Sequence, residues 1–169
     1  DIIVAEGETM RVAATVGDMG RPIGEAIPLN RTTVMGRSIV DKATVHVADL
    51  QNAGDEFPEG RKLALRFGHR TIVAVPLVRQ DRALGAILVR RTEVRPIEDK
   101  FIGLLQTFAD QAAIAIENAR LFNETKEALE RQTATSEVLG VISRSTTELQ
   151  PVFDTIIETA ARLCEAEFA

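Results

Sequence analysis

The sequence predicts an α+β fold, an α/β sandwich in which a central antiparallel sheet carries flanking helices and leads into one long C-terminal helix. Three observations predict it. Short β-branched runs recur between Ile2 and Arg90, the pattern of strands in a half-buried sheet. Clusters of Gly and Pro divide these runs into hairpins and loops. From Ile97 the composition shifts to Ala, Leu, Glu, Gln and Arg, all good helix formers, with no further Pro until Pro151.

The elements follow in order. Ile2-Ile3-Val4-Ala5 and the run Met10 to Val16 read as two strands joined tightly across Glu6-Gly7-Glu8, a hairpin. Met19 to Asn30 carries Gly20, Pro22, Gly24 and Pro28 and reads as an irregular loop. Val34 to Lys42 reads as a short helix with Thr32 or Thr33 as its N-cap and Val34, Ile39 and Val40 facing inward. Thr44 to Asp49 alternates and is β-branched, the mark of a strand, and Gln51 to Asp55 is a loop. Pro58 to Phe67 forms a second short helix, with Leu63 and Phe67 four apart on one face. Thr71 to Val78 and Leu84 to Arg90 form the strongest strand pair, joined across Gln80-Asp81-Arg82. Pro76 lacks an N–H, so it marks a strand end, a bulge or an edge.

Glu98 to about Ser143 reads as a single helix, about 70 Å long at about 1.5 Å per residue. Its first part has a broad apolar face, Ile102, Leu105, Phe108, Ala109, Ala112, Ala113 and Ile116, suited to a sheet or a partner helix. Beyond it the apolar residues thin to Leu121, Ala128, Leu139 and Ile142, with Thr125, Gln132 and Thr135 among them at nearly 3.5-residue spacing. That is a polar-rich coiled-coil seam. Ser143 to Thr147 breaks the helix, Leu149 to Cys164 restarts it with Phe153, Ile156, Ile157 and Leu163 on one face, and Glu165 to Ala169 begins a strand.

Composition narrows the function classes. The 169 residues suffice for one domain of ordinary size plus a linker or part of a second. The net charge of −5 is spread rather than blocked, so neither nucleic acid nor an anionic membrane is an expected partner. The single cysteine, Cys164, can form no intrachain disulfide, which suits the cytoplasm. No apolar run approaches the roughly 20 residues of a membrane span and no signal peptide opens the chain. Asp1 already sits in a strand pattern, so the chain is expected to be a piece of a longer protein.

The order of elements resembles the GAF domain. The residues carrying the likeness are Gly36-Arg37-Ser38-Ile39-Val40 ahead of the strand ending at Asp49, Thr71 to Leu77, Leu84-Gly85-Ala86-Ile87-Leu88, and Phe108 to Phe122. The last run is the most specific, because its small residues let the helix lie close to a sheet or a twin helix. The likeness covers residues 1–122, without the domain's usual first helix. Residues 123–146 then read as a coiled-coil linker, and residues 147–169 as the first helix and opening strand of a following GAF domain. The resemblance implies a tandem-GAF stretch of a bacterial signalling protein, a sensor histidine kinase first among the kinds. It also implies a GAF-like central antiparallel sheet with helices on one face and, on the other, a ligand pocket covered by about Met19 to Arg70.

The candidate chemistry is sparse. Histidine occurs only at His46 and His69, and without a cluster of further ligands neither makes a metal site. Asp49, Asp55, Glu56 and Glu59 crowd one loop, which reads as solvated, with Asp49 as a cap. Ser38 has no adjacent His and no nucleophile-elbow context, so no hydrolase is expected. Gly17, Gly20 and Gly24 match neither phosphate-binding fingerprint. Among family subtypes, a covalent bilin is not expected, since Cys164 lies outside the domain. The cyclic-nucleotide signature cannot be placed, Glu98-Asp99-Lys100-Phe101 being a faint echo, and the cysteines of methionine sulfoxide reductases are missing from the domain.

What remains is a non-catalytic module. Its pocket is expected to be bordered by Ser38, Asp49, Phe57, Phe67, His69 and Arg70. Its dimer helix is expected to use Leu105, Phe108, Ala112, Ala115, Ala119, Phe122 and Leu139. The first reading is a small-ligand sensor that signals through the helices to an output domain; the second is a ligand-free dimerisation spacer. A transcription-regulator effector domain would need a helix-turn-helix, which the sequence lacks. Leu149 to Cys164 is also expected to pack where the missing first helix belongs, within the chain or swapped into a dimer partner.

Overall fold

The computed structural model describes residues 1–17, 22–144 and 150–163. Of the helix break predicted at Ser143 to Thr147, Ser143 and Arg144 are still helical; the rest of it, the strand predicted from Glu165 to Ala169 and the middle of the Gly/Pro loop fall outside the described residues. The chain divides into two compact units, Asp1–Glu117 and Asn118–Ala169.

The first unit is built on a six-stranded antiparallel sheet in the order β3-β2-β1-β6-β5-β4. Its strands are β1 (Ile2–Glu6), β2 (Thr9–Ala14), β3 (Ala26–Pro28), β4 (Val45–Val47), β5 (Thr71–Arg79) and β6 (Arg82–Arg91). The helices are α1 (Val34–Asp41), α2 (Pro58–Phe67) and α3 (Asp99–Arg144), with a 3₁₀ turn at Leu50–Asn52. The antiparallel sheet with flanking helices and a long final helix is the fold class that the sequence predicts.

Three details differ from the sequence expectation, and the position of Pro76 meets it. The Met19–Asn30 loop contains β3, which pairs Ala26, Ile27 and Pro28 with Arg11, Met10 and Thr9 at the sheet edge, where a proline is tolerated. The second strand ends at Ala14 rather than Val16, and the fourth at Val47, leaving Asp49 to cap the 3₁₀ turn. In α1, Met35 is buried while Val40 is 36% exposed, because the helix seats Val34, Met35, Ser38 and Ile39 on the sheet. Pro76, expected at a strand end, a bulge or an edge, lies inside β5 at such an edge, two residues past Ala74, the last β5 residue paired with β4. Its missing donor therefore sits where β4 has stopped, one residue before a register shift at Leu77/Val78 in the β5–β6 pairing.

Local chemistry explains several joints. Thr33, the N-cap of α1, accepts a hydrogen bond at Oγ1 from the Gly36 N–H at 3.0 Å. The β5–β6 hairpin turns through Gln80 and Asp81, both at positive φ, the requirement of a type I′ turn. Gly85 lies where β6 passes β1, and a Cβ there would stand 1.9 Å from the Ile3 carbonyl oxygen.

Alternation along the strands separates two cores. Ile3, Met10, Val12, Ile72, Ala74, Ala86 and Leu88 face α1, α2 and the 3₁₀ turn. Val73, Val75 and Leu77 face the opposite way and, with Leu84 at the β5–β6 register shift, receive Ala109 and Ala113 of α3, with Ile97 beside them. The Ile97 N–H donates to His46 Nε2 at 3.1 Å, which ties the entry of α3 to β4. In the second unit, α4 (Gln150–Leu163) lies along the last turns of α3, burying Ala134 and Thr159 beside an open cleft of ≈ 340 Å³.

Candidate functional site

The sheet face under α1 and α2 holds a small cavity. The strands supply Ile3, Val12, Ile72 and Leu88 to its wall, and the covering segments supply Val34, Met35, Leu50, Gly60, Leu63 and Phe67. Its polar groups are Asp1, Thr33, His69 and Arg90. Alternation accounts for two of them: Asp1 is in phase with Ile3, and Arg90 with Leu88, so each charge ends an inward-facing row. The free space is ≈ 20 Å³, about what one water needs.

The charges are closely held. Arg90 Nη2 pairs with Asp1 Oδ2, with side chains only 9% and 5% exposed. Thr15 Oγ1 donates to the other Asp1 oxygen at 2.7 Å. His69 is 2% exposed, and its Nδ1 is buried without a hydrogen-bond partner. Burial, aided by the positive charge of Arg90, holds the His69 pKa down at about 4, so its ring is neutral at pH 7. Gln51 Nε2 donates to the carbonyls of Ala64 and His69 at 3.2 and 3.1 Å, fixing the turn that presents the histidine.

The residues expected to border the pocket divide into three pairs. Phe67 and His69 line the cavity. Asp49 and Arg70 form a two-pronged ion pair beside it, Arg70 Nε donating to Asp49 Oδ1 at 3.0 Å, and Asn52 adds a donor to Oδ2 at 2.8 Å. That guanidinium holds the Asp49 carboxyl below its ordinary value, and the carboxylate in turn raises Arg70. Ser38 and Phe57 do not reach the cavity. Ser38 is fully buried and donates to the Ala74 carbonyl at 3.2 Å, joining α1 to β5. Phe57 is a core residue with the Arg37 guanidinium 4.1 Å from its ring centroid.

The residues expected on the dimer helix also part company. Leu105 and Ala112 pack toward the sheet with the second core cluster. Phe108, Ala115, Ala119, Phe122 and Leu139 are exposed in the single chain. Among the described residues no group of three or more His, Cys, Asp or Glu could hold a metal ion. No helix of those residues is long and apolar enough to cross a membrane.

A central antiparallel sheet with a covered cavity on one face and a long helix on the other defines a class of small α+β domains. Residues 6–116 match the GAF domain family, and the chain belongs to it. GAF domains are sensor modules of signalling proteins and are generally regulatory rather than catalytic. No curated protein sequence matches the chain. Solved structures share the fold at low identity. The GAF domain of a two-component sensor histidine kinase from Bacillus halodurans is 18% identical over 72% of this chain and 82% of its own, with a TM-score of 0.61. Residues 122 to 287 of a methyl-accepting chemotaxis protein are 22% identical over 72% and 78%, with a TM-score of 0.60. A type II free methionine-R-sulfoxide reductase from Thermoplasma acidophilum is 17% identical over 69% and 77%, TM-score 0.56, so the fold also carries enzymes.

Proposed function

We propose that the chain is a regulatory small-ligand sensor and dimerisation module of a cytoplasmic signal-transduction protein, passing a conformational signal through α3 to an output domain such as a histidine kinase. In this reading residues 1–122 are the sensing domain, 123–146 a coiled-coil connector, and 147–169 the start of a second GAF domain. The observation that carries it is the shared wall. β5 and β6 line the cavity with Ile72, Leu88 and Arg90 and, through the alternate residues Val73, Val75, Ile87 and Val89, carry the seat of α3. A change of packing on one face therefore bears directly on the other.

Dimerisation is supported by the outward face of α3. Phe101, Leu104, Phe108 and Ala115 are exposed at spacings of three, four and seven, the stripe a parallel partner helix would cover. Phe108→Glu is expected to make the 169-residue chain monomeric by light scattering; a chain that stays dimeric moves the contact to the seam after Phe122 or to α4 swapped between copies. For sensing, titration calorimetry and thermal-shift measurements against nucleotides, bilins and small organic acids are expected to find one saturable class of binder. A second reading, a spacer without a ligand, is favoured by the one-water size of the cavity, and a screen without any binder would establish it over the first.

A further inference from the structure

The polar end of the cavity is costly for a mere core. A buried ion pair gains little net stability over apolar packing, and a buried polar atom without a partner is destabilising. Both occur together here, in the Arg90–Asp1 pair and at His69 Nδ1, against walls that are otherwise apolar. Resting on the sensor reading above, we propose that the cavity takes a small monocarboxylic acid with a short apolar tail, its carboxylate lying between Arg90 and His69.

Three observations select this class. Arg90 already holds one carboxylate, that of Asp1, within the cavity wall, and a guanidinium matches the geometry and charge of a carboxylate better than those of other small polar groups. A cationic ligand would set its charge beside that guanidinium in a medium of low dielectric, where like charges repel strongly. His69 supplies the remaining partner. The site's other charges are Arg90, the Asp1 carboxylate and the Asp1 ammonium, which donates to the Leu88 carbonyl at 2.8 Å; a bound carboxylate gives the unpartnered Nδ1 of His69 an acceptor once the ring is protonated. Leu63 and Phe67, both half-buried on α2, are the wall residues that move to admit the tail.

The test uses the 169-residue chain and a matched set of probes: butyrate and valerate, their primary amides, and butylamine. Because His46 and His69 are the only histidines, the two ring Cε1–H resonances report the site directly. The acids are expected to raise Tm and to shift the His69 resonance toward the protonated position, more at pH 6 than at pH 8, a resonance shift that titration of the Asp1 ammonium alone would not produce. Arg90→Met alone leaves Asp1 buried and unpaired, so the variant of choice is Asp1→Asn with Arg90→Met, which removes both charges. It is expected to lose at least tenfold in affinity for the acids. Amides or amine binding as well as the acids, or undiminished acid binding by the double variant, would overturn the carboxylate assignment while leaving the sensor reading intact. No response of His69 to any probe also overturns the assignment, and the broader screen then decides whether the cavity senses anything.

Discussion

His69 makes the stability of the domain depend on pH in a defined window. Its side chain is 2% exposed and its folded-state pKa is about 4, lowered by burial first and by Arg90 second, against 6.5 for the unfolded chain. Between those values the unfolded chain binds a proton that the folded chain refuses, so stability rises with pH across the window. The contribution is fully present above pH 6.5, falls as the solution is acidified, and is spent below pH 4. At about 1.4 kcal/mol per pH unit the complete loss amounts to about 3 kcal/mol, of which about 2 kcal/mol has gone by pH 5. Urea unfolding of the wild-type chain and of His69→Leu at pH 7 and pH 5 separates this group from the carboxylates, which titrate in both proteins. The difference in unfolding free energy between the two chains is expected to shrink or reverse by about 2 kcal/mol at pH 5. Equal pH dependence in the two chains, or a His69 resonance titrating near 6.5, would refute the assignment of a neutral, desolvated ring.

Other expectations follow from single contacts. Gly85→Ala puts a Cβ 1.9 Å from the Ile3 carbonyl oxygen, and since backbone opposes backbone the loss should reach at least about 3 kcal/mol, the upper end for overpacking. Gly103→Ala, where a Cβ meets nothing within 4 Å, should instead stabilise α3 by up to about 1 kcal/mol, and thermal denaturation of the pair checks both signs. Thr33→Ala removes the side-chain cap on the Gly36 N–H and should cost about 1 kcal/mol in denaturant unfolding. Arg70→Met should return the Asp49 carboxyl toward its ordinary pKa, since the Arg70 hydrogen bond is the largest cause of its lowering; a carboxyl ¹³C titration reads the change.

The elements legible in the sequence are those whose pattern is local. The β1–β2 and β5–β6 hairpins follow from alternation bounded by turn residues, and α1 and α2 from caps and spacing. β3 was not legible because three residues between Gly24 and Leu29 form a strand only when Met10 and its neighbours supply the partner. The cavity was half legible. His69 and Phe67 could be placed from the helix-to-strand turn they flank, but Arg90 read as the polar end of a strand. Counting in twos from Ala86 through Leu88 would have put it on the inward face, and the same count joins Asp1 to Ile3. Ser38 and Phe57 carry no such signal, because whether a buried side chain meets a cavity or a neighbour depends on how α1 and the segment before α2 settle on the sheet. On α3, Leu105 and Ala112 share one broad apolar face with Phe108 in sequence, and only the direction of the sheet divides them.

The size of the cavity sets an energetic condition on the proposed sensing. With room for about one water, this packing is closed, and a ligand can act only by favouring an open packing over it. Opening by a swing of Leu63 and Phe67 exposes on the order of 100 Å² of apolar surface, at about 2.5 kcal/mol. A ligand at a hundredfold excess over its dissociation constant supplies about 2.7 kcal/mol. The two nearly cancel, which is the condition for a graded response: a cavity sealed by fully buried residues would hold the closed state against any modest ligand, and a ligand-sized void would give ligand and solvent the same packing. The half-exposure of Leu63 and Phe67 is therefore as important to the proposed function as the charges at the other end. Replacing Phe67 by a smaller residue should open the cavity without a ligand and weaken the dependence of the helix on it.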